Sequence, residues 1–346
     1  MVTFFLFFTV GFSVSFGRGA TNNLFLDPRA VADDFFELNA RLSHYNIDSP
    51  LGYEFYFSGS KFDVNKAQDF ANMGGGISYF KDFGKAGDYF EIGINSNWDF
   101  YSPYPAIFLS PFLSGKLYLS SVIVLNANYT YSFLNAEYTQ YHEQTPAVSM
   151  NFGTPWGTFN LHGKFDWRYS STFVLDSAGS GHGNLWSNRI VDEERLLEAG
   201  DVSLRYAVNI INRLGLFYEV GFHFAPSSNA VYVEDLKEIT RPDFEEKYAF
   251  SGIVHNTGVN FYAGRFIFNY VFGYERRDFH IVDSNGIYIE RDDVLTTHNV
   301  NMKILIIDSK IQMGLYGGVN NMKNNSTTAD FTFDSREFRV GLFMSL

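Results

Sequence analysis

Along much of this chain, apolar and polar residues alternate strictly for ten positions or more, a period that predicts strands with one apolar and one polar face. From Ile123 to Phe133 one face carries Ile123, Leu125, Ala127, Tyr129, Tyr131 and Phe133, and the other carries Val124, Asn126, Asn128, Thr130 and Ser132. From Phe159 to Ser170 the apolar face ends in Phe165, Trp167 and Tyr169, opposite Asn160, His162, Lys164, Asp166 and Arg168. The same period runs through Val202–Ile210, Leu216–Phe224 and Phe266–Tyr274. Weaker versions occupy 51–59, 70–80, 88–99, 108–118, 146–153, 249–262, 294–306, 310–319 and 335–346. The total is about 14 strands, or about 16 if residues 1–17 and 35–46 also pair.

Between these segments the connections differ in length. Short turns are expected at Asp82–Asp88, Leu119–Ser121, Thr154–Gly157, Ile211–Arg213, Tyr262–Gly264 and Ile307–Ser309. Longer ones fall at 171–197, 226–248, 277–293 and 320–334. No stretch beyond the N-terminal segment approaches a 20-residue apolar helix, so a chain that crosses a membrane does so with strands. The expected fold is all-β: a transmembrane antiparallel up-and-down barrel of about 14 strands, within about 12–16, with short periplasmic turns and long extracellular loops.

The two ends read differently. Phe4 to Phe16 is apolar and Ser15-Phe16-Gly17 suits signal-peptidase cleavage, so residues 1–19 are expected to be a signal peptide; with no preceding Lys or Arg, and with Val10, Phe12, Val14 and Phe16 alternating, a first strand is the alternative. Residues 20–50 are expected to be an N-terminal periplasmic segment, a short helix after Asp27-Pro28 or a strand, and 51–346 the barrel. At the other end Phe338, Val340, Leu342, Met344 and Leu346 share one face, and Arg339, Gly341, Phe343 and Ser345 the other. This closing segment resembles the C-terminal signal of Gram-negative outer-membrane β-barrel proteins, with Arg339, Gly341, Met344 and Leu346 at the matching positions. Leu346 departs from the Phe or Trp usual at the last place. The resemblance implies recognition by the barrel-assembly machinery and a porin-like or uptake-channel organisation in the cell outer membrane.

Composition sharpens this picture. The 346 residues hold no cysteine, which excludes disulfides and thiolate metal sites, and a net charge of −12 argues against a nucleic-acid partner. With 38 Phe and 22 Tyr the chain is aromatic, yet its mean hydropathy is near neutral. A wall with one face in lipid and one in water reconciles the two.

Catalytic equipment is not expected. Gly181–Asn188 contains His182, Ser187 and Asn188 but lacks the spacing that seats a base beside a nucleophile. His142-Glu143 has no second histidine for zinc, and Asp283-Ser284-Asn285-Gly286 reads as a hairpin tip rather than a calcium loop. No cofactor and no metal is implied. Acidic clusters at Asp192–Glu194, Asp243 to Glu246 and Glu290 to Asp293 read as solvated loop residues, with bridging to lipopolysaccharide through divalent cations, or an acidic vestibule that favours cations, as the functional alternatives. The chemistry lies on the polar faces: Glu91, Asn126, Asn128, His162, Lys164, Asp166, Arg168, Arg205, Glu219, Arg265 and Lys303 are the candidate pore-lining residues. Charges of both signs inside a barrel imply hydration or pairing, since a bare buried charge costs several kcal/mol. The expectation is a passive channel for small hydrophilic solutes, with 171–197 and 226–248 as constriction or lid. A substrate-specific uptake channel for a nucleoside, sugar or lipophilic compound, and a non-conducting structural or adhesive barrel, are the alternatives.

Overall fold

The computed structural model describes residues 10–23, 31–44, 50–65, 69–83, 87–101, 106–136, 139–175, 190–225, 247–282 and 288–346. Sixteen antiparallel strands pair in sequence order, and the first pairs with the last, so the sheet closes on itself. They are β1 (Val10–Thr21), β2 (Asp33–His44), β3 (Leu51–Phe62), β4 (Phe70–Phe83), β5 (Asp88–Tyr101), β6 (Ala106–Tyr118), β7 (Ile123–Ala136) and β8 (Thr139–Thr154), followed by β9 (Gly157–Leu175), β10 (Ile190–Ile211), β11 (Leu214–Phe224), β12 (Phe250–Ala263), β13 (Phe266–Val282), β14 (Tyr288–Asp308), β15 (Gln312–Ser326) and β16 (Phe333–Ser345).

Closure removes both free edges, so the ladder satisfies its own backbone groups. The seam is continuous: Ser13 faces Ser345 and Thr21 faces Glu337. At its end the Leu346 amide donates to the Phe12 carbonyl at 2.8 Å. Gly341 lets strands meet there, because a Cβ would lie 2.3 Å from the Phe16 carbonyl oxygen and 2.5 Å from the Tyr316 ring.

The strand count corrects the expected 14. Two strands come from the N-terminal region: residues from Val10 follow the first-strand alternative, and Asp33–His44 follows the strand alternative as β2. The barrel wall therefore begins well before residue 51. Because β1 pairs with both β2 and β16, cleavage after residue 17 or 19 would remove most of a strand that closes the sheet.

Several connections are shorter than expected because hydrogen bonding continues past the end of the alternating pattern. The β9–β10 ladder runs out to Leu175 and Ile190, and β13–β14 to Val282 and Tyr288. At the barrel end holding the termini every connection spans six residues or fewer. At the far end lengths are mixed, and β7–β8 is joined through 137–138 alone, so the expected sorting holds on one side only. Gly181–Asn188, Asp243 to Glu246 and Asp283–Gly286 lie outside the described residues.

Outward positions along the middle of the wall are mostly apolar. Phe16, Phe36, Ile77, Ile92, Leu113, Val148, Phe222 and Val340 all expose between 49% and 62% of their area. In three hairpins polar atoms on this face are paired, a tyrosine hydroxyl meeting the Nδ1 of a histidine across the ladder: Tyr131–His142 at 2.7 Å, Tyr218–His255 at 2.7 Å and Tyr270–His298 at 2.9 Å. Pairing matters there because an unmatched polar group in an apolar medium costs several kcal/mol. Among the described residues no apolar core fills the barrel along its length. The larger buried apolar cluster, Leu197, Ala199, Tyr248, Ala249, Phe250 and Phe279, sits inside the far end, where residues 247–250 fold against the inner wall.

Candidate functional site

The inner wall at the far end carries a continuous network of charges. The alternation of β8, β9, β10 and β11 aims Glu143, Asp166, Arg168, Asp201 and His223 inward, and the turn before β12 adds Lys247 and Tyr248. Arg168 is gripped by Glu143, with both its Nε and Nη2 donating to Oε2 at 2.7 Å. The guanidinium lies 3.8 Å from the Tyr141 ring centroid and 4.9 Å from that of Tyr248. Lys247 bridges Glu143 at 3.2 Å and Asp166 at 3.1 Å, and the Tyr248 hydroxyl donates to Glu143 at 2.6 Å.

The network continues around the wall. Lys164 reaches Asp166 at 3.4 Å and Asp201 at 3.1 Å. His223 approaches Asp201 through Nδ1 at 2.7 Å and the Lys247 carbonyl through Nε2 at 2.6 Å. Asp166 also accepts from Thr145 at 2.6 Å. Tyr248 is fully buried, and burial pushes its phenol far above the ordinary tyrosine range, with Glu143 adding to the shift and Arg168 opposing it. The phenol is therefore a permanent donor to Glu143.

Across the lumen, on β15, β16 and β1–β3, half-exposed arginines pair with more sheltered carboxylates. Arg339 meets Glu337 and Glu37, the latter at 3.4 Å, and the Tyr316 hydroxyl donates to Glu37 at 2.6 Å. Arg41 meets Glu54 at 2.7 Å. Toward the terminal end an inner cavity of about 470 Å3 is lined by Asn39, Arg41, Tyr56, Lys303 and Phe343, joining strands from both sides of the seam.

Of the expected pore-lining residues, Lys164, Asp166 and Arg168 meet in the far-end network. Glu91 accepts from Ser114 at 3.4 Å, Asn126 donates to Ser149 at 3.2 Å, and Asn128 faces Ala147. His162 stands between Ser149 and Ser203, and Glu219 lies opposite Arg205. Arg205 stacks on Phe217 at 4.0 Å, while Lys303 lies over Phe343 at 5.3 Å. Arg265 departs from the expectation: it occupies the turn after Gly264, whose φ of 58° favours glycine, and its exposed side chain donates to the Ile306 carbonyl at the rim. The Glu290–Asp293 cluster also splits. Asp293 is buried against Arg291, while Asp292 is exposed on the opposite face.

Glu143, Lys247 and Tyr248 were not among the expected pore residues. Glu143 alternates with Tyr141 and Thr145, a pattern masked by the outward His142 beside it. Nothing in the sequence marks Lys247 and Tyr248 as inward.

No family model and no curated protein matches this chain. Among solved structures, CdiB from Acinetobacter baumannii aligns over 96% of this chain and 60% of its own, at 11% identity and a TM-score of 0.51. A doubly substituted form of OccD1 (OprD) covers 98% and 95% at 9% identity and 0.48, and Pseudomonas aeruginosa OccK3 (OpdO) covers 98% and 96% at 9% and 0.46. At such identities the likeness to CdiB is one of fold: a closed antiparallel barrel.

Proposed function

We propose that this protein is an outer-membrane channel that lets small hydrophilic solutes diffuse through a charged, water-filled lumen. One observation carries the reading: the closed wall is inverted relative to a soluble domain, with large apolar side chains exposed outside and charged side chains facing inward. An apolar band on the outside is stable in lipid and costly in water. Sixteen strands enclose more than side chains can fill, consistent with the open ion pairs on the β15–β3 side. On this reading the termini and short turns lie in the periplasm, and the far end opens outside the cell. The segment 247–250 narrows the outer mouth, so the constriction belongs to the end of the 226–248 connection. β16, with Arg339, Gly341, Met344 and Leu346, would serve as the barrel-assembly signal.

Conductance across a planar bilayer tests the proposal. Stepwise currents that grow linearly with salt support it; purified, heat-modifiable barrel that inserts without current overturns it. A second reading has its own support in the dry far-end cluster of Tyr248, Phe250 and Phe279: a barrel braced shut, serving structure or adhesion. Absence of current in both wild type and a Tyr248→Ala variant would favour it.

A further inference from the structure

The outer wall is not uniform around its girth. In the far half of the strands five outward cations are exposed: Arg18 on β1, Lys61 on β3, Arg276 on β13, Lys323 on β15 and Arg336 on β16. All stand on one arc, from β13 through the seam to β3. On β4–β12 no outward Lys or Arg occupies the far half among the described residues; Trp98, Trp167, Tyr169 and Phe224 are exposed there instead.

Register places the cations at the upper edge of the apolar band. Arg18, Phe36 and Lys61 form one row across β1–β3, with the Arg18 guanidinium 5.5 Å from the Phe36 ring. Phe16 and Phe338, two residues nearer the terminal end than Arg18 and Arg336, are each more than half exposed. Carboxylates stand one step further out: Asp63 beyond Lys61, Asp278 beyond Arg276, and Asp334 beyond Arg336. Arg18 pairs with Asp34 at 2.8 Å and Asp63 at 3.6 Å, and Arg336 with Asp334 at 3.8 Å, all exposed. Such pairs are worth about 0–1 kcal/mol and exchange readily for a better anion. Lys61, Arg276 and Lys323 have no ion pair among the described residues.

Below Arg18 and Lys61 the outer face of β1–β6 is hollowed. Gly75, between Phe55 and Ser96, leaves an apolar depression of about 600 Å3, with Leu42, Met73, Ile77 and Trp98 around it. Cations over an apolar hollow match a ligand with phosphates above and acyl chains below.

We infer that the β13–β3 arc binds a phosphorylated, multiply acylated glycolipid of the outer leaflet, its phosphates on the cation tier and a chain in the hollow at Gly75. The inference rests on the membrane reading above and adds the partner and its seat. In the test, purified full-length barrel in neutral detergent is titrated with fluorescent bisphosphorylated lipid A, its dephosphorylated form, or phosphatidylethanolamine, and bilayer conductance is recorded in parallel. Phosphate-dependent binding is expected, weakened roughly ten- to a hundredfold when Arg18, Lys61, Arg276, Lys323 and Arg336 are all changed to Gln, with conductance intact. A milder Gly75→Leu variant should weaken binding of both lipid A forms by filling the hollow. Equal binding of phosphorylated and dephosphorylated lipid, unchanged affinity in the five-fold variant, or burial of the arc against a second copy would overturn it. A conducting barrel without lipid preference defeats this inference alone; phosphate-dependent binding by a non-conducting barrel defeats only the channel.

Discussion

On the β8–β11 side of the lumen Arg168 and Glu143 meet at 2.7 Å with side chains 5% and 12% exposed; across the lumen Arg41 and Glu54 meet at the same distance, 59% and 24% exposed. The residue types and the separation are alike, although Glu143 stands directly opposite Arg168 and Arg41 reaches Glu54 on the diagonal. The difference is what lies over them. Tyr248 and Lys247 cover the first pair, and among the described residues no such segment folds over the second, whose arginine stays more than half exposed. Water screens the Arg41–Glu54 attraction and also solvates either partner left alone, so neither is indispensable. Beneath Tyr248 the pair is strongly coupled, and each charge needs the other because both have lost their hydration. One wall is therefore a brace and the other a wet lining.

The largest effect should come from removing the hub of the brace. Glu143→Ala strands Arg168, Lys247 and the Tyr248 hydroxyl together, and should cost about 3–5 kcal/mol, the range for breaking a buried pair. It should lower the temperature at which the barrel loses its compact gel migration, and raise conductance as 247–250 lets go. An unchanged transition would show that the pair is as wet as its counterpart, and the contrast would fail.

Tyr248→Phe keeps the ring against Arg168 but deletes one hydrogen bond to a carboxylate, a loss of about 1.5–3 kcal/mol. Shorter closed intervals in single-channel records are expected. If closures lengthen instead, the hydroxyl is not what holds the segment down.

Arg41→Gln should leave stability within about 1 kcal/mol of wild type, since the arginine is more than half exposed. Its effect belongs to permeation: loss of a luminal cation should raise the preference for cations, read from reversal potentials under a salt gradient. A stability loss as large as that of Glu143→Ala would erase the distinction between the walls.

The smallest change is expected from salt. Between about 0.1 and about 1 M the Debye length falls from about 10 Å to about 3 Å, which should mute the selectivity shift of Arg41→Gln and leave the stability loss of Glu143→Ala nearly intact. Parallel salt dependence for both would place both pairs in water.

Alternation alone made the strands legible where the pattern is clean, and the facing of Asn126, Lys164, Arg168 and Arg339 followed from parity. Parity offered β1 and β2 only as alternatives, because an apolar N-terminus reads equally as a leader and the segment after Asp27-Pro28 reads equally as a helix. It also missed the first half of β8, where His142, Glu143 and Gln144 interrupt the apolar face. His142 is tolerated outward only because the Tyr131 hydroxyl meets it from the neighbouring strand. Arg265 shows the converse limit: the right parity one residue beyond the strand end puts a side chain on the rim.

Period-two patterning is a local property, set by the pleat of each strand, so it could specify the strands and their faces without reference to any partner. Which charges are braced and which are bathed depends on contacts between residues far apart in the chain, such as Tyr248 with Glu143, or Glu37 with Tyr316 and Arg339. So does the clustering of five outward cations on one arc, because adjacency around the barrel exists only once β1 has met β16. Those features arise from closure and from a connection folding inward, and neither leaves a periodic trace along the chain.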